Sequence, residues 1–365
     1  MAKNTALNAA GKAKNDEFYT QLSDIEKEMR HYRKHFKGKT VFCNCDDPYE
    51  SNFFRFFVLN FNSLGLKKLI ATCYAGSPIA GTEFSLFPEM EPEPVPKKDT
   101  KPYKAIVTKV EDTTGDGGID LFDIQTLFRT GTNEIGELEG DGDFRSEESL
   151  ALMDEADIVV TNPPFSLFRE FVDVLMQHKK KFIIIGNVNA ITYKEIFPLI
   201  KDNQLWMGAS IHSGDRAFYV PDHYPLEAAG CGVDENGRRF IRVKGVRWYT
   251  NLDIKQRHEE MILVERYLPG KYENFDNYDA INVNKTADIP CDYAGVMGVP
   301  ITFLDKYNPD QFKIIGLVAG NIKGLAGIES KIGKDGPYIN GKLKYGRIFI
   351  QNKNPEPVKG VRHGD

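Results

Sequence analysis

The residues best suited to chemistry are Asn162, Pro163, Pro164 and Phe165, in the stretch ADIVVTNPPFSLFREF from Ala156 to Phe171. An apolar run with the composition of a buried strand passes straight into two prolines. Proline fixes φ and has no N–H to donate, so the carbonyls of Asn162 and Pro163 lack a local partner and point outward from a rigid frame. Asn162 adds a side-chain carbonyl, and Phe165 adds a ring face. Two acceptors and an aromatic face suit a planar base with an exocyclic amine: the acceptors grip its two N–H groups while the ring stacks on the base. An amine held in this way delocalises its lone pair less into the ring and becomes a better nucleophile, with no strong general base required.

The elements that must position this turn read as an α/β protein. A capping-box pattern, Ser23-x-x-Glu26, precedes Ile25, Met29, Tyr32 and Phe36 at helical spacing and predicts one surface helix ending in KHFKGK. The strand TVFCNC, the helical segment NFFRFFVLNFNSLG and the strand KKLIATCY then form a βαβ unit, the start of a doubly wound parallel sheet. Residues 76–140 interrupt the pattern as an acidic insertion of loops or a hairpin with one convincing strand, YKAIVTKVE. ADIVVTN resumes it, followed by a helix with Leu167, Phe168, Phe171, Val172, Leu175 and Met176 on one face, and by the strand KKKFIIIGN. Beyond lie a helix at YKEIFPLIKDN and strands at LWMGAS, RAFYVP, RFIRVKGVRWY, VPITFLD, FKIIGLV and YGRIFIQ, so the chain turns mainly β and implies a second, smaller unit. In open α/β sheets ligands bind beyond the C-terminal strand ends, which is where the loops CNCDDP, TCYAGSP and TNPPF are expected to converge.

Composition narrows the class. A chain of 365 residues with 41% hydrophobic residues supports a large core, and it contains no apolar run of bilayer length and no secretory-type N-terminus. The expected location is the cytoplasm, with no membrane partner. Cys43, Cys45, Cys73, Cys231 and Cys291 show no paired CxxC spacing, which argues against a disulfide framework or a zinc site. The net charge of −5 is unevenly spread: Gly81 to Asp157 holds 20 acidic and 7 basic residues, whereas Lys313 to Asp365 holds 10 basic and 4 acidic. The C-terminal part is therefore the one suited to face phosphates.

Two further motifs carry weight. RRFIRVKGVRWYT alternates cationic and apolar residues at period two, as a strand showing Arg238, Arg239, Arg242, Lys244 and Arg247 to a phosphate backbone would. DTTGDGGIDLFD, Asp112 to Asp123, has EF-hand-like spacing, but its last position is Asp rather than Glu and a strand precedes it. It is expected to be a hairpin loop, and no metal site is expected.

TNPPF after an apolar strand resembles motif IV of amino-methylating nucleic-acid methyltransferases. Together with NDEFYTQLSDIEKEM, VFCNCDDPYESNFFRFF, LGLKKLIATCY, GDGDFRS, GVRWYTNLD and VPITFLDKYNP, it makes most of the chain similar to the EcoRI-type adenine-specific DNA methyltransferases. The resemblance implies a Rossmann-like fold with a doubly wound, mostly parallel sheet: a catalytic domain over residues 1–255 and a smaller β-rich target-recognition part over residues 256–365. It implies transfer of a methyl group from S-adenosylmethionine to the N6 of an adenine flipped out of double-stranded DNA. Asn162 and the Pro163 carbonyl would hold the amine, with Pro164 in the same catalytic turn, and Phe165 would stack on the base. Phe18, Tyr19 and Thr20 match the segment over the cofactor's methionine end, Asp143 and Phe144 the one beside its adenine, and Asn44, Asp46 and Asp47 the motif I loop, with Asn162 at the cofactor's edge. The wider methyltransferase pattern has an acid and glycines in motif I, whereas this chain has Cys43 and the glycine-free NCDDPYES. The second-strand acid is also missing from IATCY. A monomer and a cognate restriction endonuclease acting on the same site are the expected assembly and context. Methylation of RNA or of a protein glutamine, and a catalytically silent DNA-binding module, remain the alternatives.

Overall fold

The computed structural model describes residues 20–45, 51–73, 102–120, 123–124, 127–128, 131–212, 214–220, 226, 230–320 and 322–357. The tail expected at the N-terminus and the first part of the acidic insertion lie outside these residues. The chain divides into two compact units, Met1–Val188 with Gly208–Leu252, and Asn189–Met207 with Asp253–Asp365. Among the described residues no helix is long and apolar enough to cross a membrane.

The first unit opens with α1 (Leu22–Met29) and α2 (Arg33–Phe36), followed by β1 (Thr40–Cys43), α3 (Asn52–Leu59), α4 (Phe61–Leu64) and β2 (Lys68–Thr72). Next come β3 (Tyr103–Val107), β4 (Glu134–Glu137), α5 (Glu147–Glu155), β5 (Ile158–Thr161), α6 (Phe168–Gln177) and β6 (Lys181–Asn187). The chain supplies α7 (Phe197–Lys201) and β7 (Trp206–Met207) to the second unit before returning with β8 (Asp215–Tyr219), β9 (Gly232–Val233), β10 (Arg239–Lys244) and β11 (Val246–Thr250). Within this unit a large mixed sheet runs β4-β3-β2-β1-β5-β6-β11. Its centre, β2-β1-β5-β6, is parallel, and β3, β4 and β11 join antiparallel. The central strands are apolar on both faces, and β1 and β5 are buried throughout. Helix α6 packs onto β6 where Gly186 leaves room, since a Cβ there would stand 2.4 Å from the Phe168 ring. A separate three-stranded sheet runs β8-β10-β9.

Two local expectations are corrected here. The helix foreseen from Ser23 to Phe36 starts at Leu22 on the carbonyl of Gln21 and breaks after Met29, where His31 and Tyr32 donate to carbonyls three residues back. The phenol of Tyr32 turns back onto Glu28 at 2.7 Å and the apolar face continues into α2, so Ile25, Met29, Tyr32 and Phe36 are all fully buried as their spacing implied. The strand RFIRVKGVRWY divides at Gly245, whose φ of +72° makes the turn, into β10 of the small sheet and β11 of the large one.

The second unit holds β12 (Glu273–Asn274), β13 (Ala280–Asn282), β14 (Val296–Pro300), β15 (Phe312–Val318), β16 (Tyr338–Ile339), β17 (Lys342–Leu343) and β18 (Arg347–Asn352). Five of them form a sheet in the order β12-β13-β14-β18-β15. Its core gathers Phe275, Tyr278, Ala280, Val318, Ile339 and Phe349, with Phe275 and Tyr278 edge-on to Phe349. VPITFLD is strand only as far as Pro300; ITFLDK coils into a 3₁₀ turn that buries Phe303 and Leu304.

One buried charge organises the first unit. Glu28 is fully buried and accepts from the amides of Ala209 at 2.8 Å and Ser210 at 2.7 Å, as well as from Tyr32. Burial first, and then this neighbouring carboxylate, hold the Tyr32 phenol well above its ordinary 10.0. Gly208 admits no side chain, because a Cβ would lie 2.3 Å from Glu28 Oε1 and 2.4 Å from Trp248 Cβ. Replacing Glu28 with Ala leaves the buried Tyr32 phenol and the half-buried amides of Ala209 and Ser210 unpaired and is expected to lower stability by about 3 kcal/mol, read from urea denaturation. A loss under about 1 kcal/mol would show that water or rearrangement replaces the carboxylate.

In the second unit His258 lies between Asp310, at 2.6 Å from Nδ1, and Asp253, at 2.9 Å from Nε2. Hydrogen bonds to Asp310 and then Asp253 raise its pKa above 6.5, and the bond to His258 lowers that of Asp310 below 3.8. A raised histidine stabilises fully below 6.5 and loses its contribution as pH rises through the folded value; a lowered aspartate does so above 3.8 and loses it on acidification. The cluster is therefore most stabilising between these limits. Thermal melts from about pH 5 to about pH 8.5 are expected to show a decline above neutrality that His258→Gln flattens.

Candidate active site at the ends of the parallel strands

The site forms where β2, β1 and β5 end side by side. Register pairs Cys43 with Ala71 and Phe42 with Val159, so the next residues, Asn44, Thr72 and Thr161, come level at one edge. The hydroxyl of Thr161 donates to the carbonyl of Asn44 and joins the ends of β1 and β5. The strand order reverses between these two: the chain goes from β1 to β2 on one side and from β5 to β6 on the other, the kind of switch point at which open α/β sheets bind ligands.

Three buried polar side chains gather around these ends. Thr20, Asn44 and Thr72 are 3%, 1% and 1% exposed, and among the described residues the Thr20 hydroxyl, both amide atoms of Asn44 and the Thr72 hydroxyl have no hydrogen-bond partner. Buried polar atoms are normally satisfied, so such a cluster marks a place for an absent polar group. Thr20 is drawn in by its carbonyl, which accepts from Asn52 Nδ2 at 2.7 Å at the start of α3, where Ser51 caps the amides of Phe53 and Phe54. Cys45 leaves β1 with φ +75°, the left-handed conformation that favours glycine. Cys45 thus carries a strained backbone of the kind found at functional sites.

On the β5 side, Asn162 and Pro163 are buried while Pro164 and Phe165 are half-buried. Pro164, at φ −54° and ψ 125°, accepts from the Leu167 amide at 3.0 Å and starts the 3₁₀ turn Phe165–Leu167 that leads into α6. Phe168, Phe171, Val172 and Leu175 face the core as the helical spacing implied, and Leu167 and Met176 sit at its margin. The Phe165 ring meets Phe218 of β8 edge-on, with centroids 6.5 Å apart and planes at 87°.

The remaining predicted residues distribute unevenly. Phe18, Tyr19, Asp46 and Asp47 lie outside the described residues. Asp143 holds Arg145 in a two-pronged pair, which also keeps its carboxylate below the ordinary range, and Arg145 bridges on to Glu170 at 2.7 Å. Phe144 is buried edge-on against Phe171, so its ring face is not open. On β10, Arg242 and Lys244 are exposed on one face and Arg239 is half-buried, while Arg238, just before the strand, is exposed but paired with Asp234 and stacked over Tyr219. Arg247 does not share that surface: on buried β11 its guanidinium donates to the carbonyls of Val246 and His212. In the EF-hand-like loop, Asp112 accepts from the amides of Gly115 and Gly117, and Asp123 from those of Thr113, Thr114 and Asp120. These carboxylates close the loop on its own backbone. Sequence reasoning missed the contact of Phe218 with Phe165, since AFY reads as any half-buried strand, and it noted Thr72 only as the place of a missing acid, not as a buried hydroxyl beside Asn44.

The sequence model of the adenine-specific methyltransferase EcoRI matches residues 6–353. The Type II methyltransferase M.EcoRI of Escherichia coli is 46% identical over 359 residues, 96% of this chain and 98% of the relative. M.MpnI of Mycoplasma pneumoniae is 37% identical, and M.MgeORF184P of Mycoplasma genitalium 36%, each over 95% of this chain and 98% of the relative. No solved structure matches. With a match along nearly its whole length and a relative 46% identical, the chain belongs to the family of the adenine-specific methyltransferase EcoRI.

Proposed function

We propose that this adenine-specific methyltransferase acts on the N6 amine of an adenine extruded from double-stranded DNA, with S-adenosylmethionine as methyl donor, in a Rossmann-like domain. The observation that carries the reading is the meeting, at the ends of β2, β1 and β5, of unsatisfied buried polar groups with the Asn162–Phe165 turn. The polar groups fit the donor: Asn44, Thr72 and Thr20 offer hydrogen bonds to its polar parts, and the Asp143–Phe144 turn is assigned to its adenine end. When bound, this cofactor supplies an electrophilic methyl group.

The chain's own residues do the rest. The Asn162 side-chain carbonyl and the Pro163 carbonyl accept from the target amine and orient its lone pair, while Phe165 stacks on the base. The prolines have no N–H to compete for these acceptors and hold them still, so their dipoles are aimed before the reaction starts. The amine loses its proton after transfer, when it is acidic enough to need no dedicated base.

Exposed Arg242 and Lys244, with Arg238 and Arg239 beside them, are assigned to the DNA backbone, and Arg247 is withdrawn from that set by its burial. The second unit, whose C-terminal stretch is net basic, is assigned to target recognition. The relatives' designation as Type II methyltransferases supports a restriction–modification setting with a cognate endonuclease, and a monomer in the cytoplasm suffices for the chemistry proposed.

With labelled S-adenosylmethionine and mixed-sequence duplex DNA, label is expected in N6-methyladenine; its absence while the cofactor binds would overturn the reading. Asn162→Ala is expected to slow transfer by about a hundredfold or more with cofactor affinity nearly unchanged. Asn44→Ala is expected to weaken cofactor binding about tenfold while leaving stability equal or up to about 1 kcal/mol higher, because among the described residues its buried amide has no partner. Calorimetric titration and thermal melts read the two effects separately, and a marked drop in melting temperature would make Asn44 structural instead.

A further inference from the structure

We infer that Phe218 is a positioning residue for methyl transfer, acting through Phe165; this rests on the reading that the Asn162–Phe165 turn holds the target base. Two prolines fix the backbone before Phe165, but they leave its χ angles free, and the half-buried ring must stand at one angle to stack on a base. The ring that meets it is Phe218, at 6.5 Å and 87°, an edge-to-face arrangement that favours a defined mutual orientation. Phe218 is itself 1% exposed, on the buried side of β8 opposite Ile241.

The strand that carries Phe218 has a fixed approach. Buried Glu28 holds the amides of Ala209 and Ser210, buried Arg247 holds the carbonyl of His212, and Asp24 of α1 faces Arg216 at 3.8 Å. Gly208 lets this segment pass against Trp248 where no other residue fits. Three anchors within nine residues bring the chain to Phe218, far more restraint than a surface hairpin requires. The same pair of strands shows Arg242 and Lys244 on its opposite face, so the element proposed to touch DNA on one side touches the base-stacking ring on the other.

The test is a double-mutant cycle on the full chain, using single-turnover transfer to plasmid DNA at saturating DNA and labelled S-adenosylmethionine. Phe218→Leu keeps an apolar side chain and removes the ring. It is expected to slow transfer about three- to tenfold, with DNA and cofactor affinities and melting temperature little changed. Added to Phe165→Leu, it is expected to cost less than about a further twofold, because the ring it orients is already gone. Phe218→Met serves as the second variant if the leucine protein is poorly folded. Full additivity with Phe165→Leu, an unchanged rate, or a loss that follows melting temperature would overturn the inference. A wild-type protein that transfers no label would overturn the function beneath it as well, and the wild-type control separates the two failures.

Discussion

Two parallel strands ending together, β1 and β5, are the constraint on which the candidate site depends. Their pairing brings Asn44 level with Thr161, and the threonine hydroxyl on the asparagine carbonyl closes the floor between them. The chain leaves β1 toward β2 and β5 toward β6, so the strand order reverses between them, the kind of point at which open α/β sheets bind ligands. The prolines then make the β5 exit rigid, and a left-handed Cys45 turns the β1 exit sharply.

A second constraint works at a distance. A buried carboxylate is costly unless its hydrogen bonds are complete, and Glu28 completes three. Such a group specifies where its partners lie more than it adds net stability. It fixes the chain after Gly208 against α1, and α1 begins two residues beyond Thr20. The helix therefore reaches two regions: its N-terminal end adjoins Thr20, whose carbonyl accepts from Asn52, and its side chains hold the approach to β8 and to Phe218, the ring that meets Phe165.

The sequence was most readable where local pattern and tertiary role coincide. The apolar run before Asn162 became β5, the 3.6-residue spacing after it became α6, and Gly65 ended the helical segment in a left-handed conformation. It was least readable where the deciding contact joins distant residues. Period two in RRFIRVKGVRWYT gives no sign that Gly245 passes the chain from one sheet to another, or that Arg247 meets carbonyls instead of solvent. Nothing local shows that residues 189–207 join the second unit, or that Phe218 rests on Phe165. Cys45 escaped for a different reason: a left-handed turn is normally read from glycine or asparagine, and here the fold imposes it on a residue that disfavours it.

The two ends of the same parallel strands differ in a way that packing alone does not explain. At the N-terminal ends, polar groups are matched: Asp157 takes the Thr40 amide at 2.9 Å and Lys39 at 3.0 Å, Lys68 pairs with Glu155, and Lys180 donates to the carbonyls of Asp154 and Ala156. At the C-terminal ends, among the described residues, lie the unpartnered hydroxyls of Thr20 and Thr72, the unpartnered amide of Asn44 and the strained backbone of Cys45. Both ends belong to one sheet with one core, so a sequence shaped only by stability would have completed both. Unpaired buried atoms each cost on the order of 1–3 kcal/mol, and gathering them at one end keeps them available to a ligand that satisfies several together. Stability given up by such unpaired atoms is recovered when a ligand satisfies them.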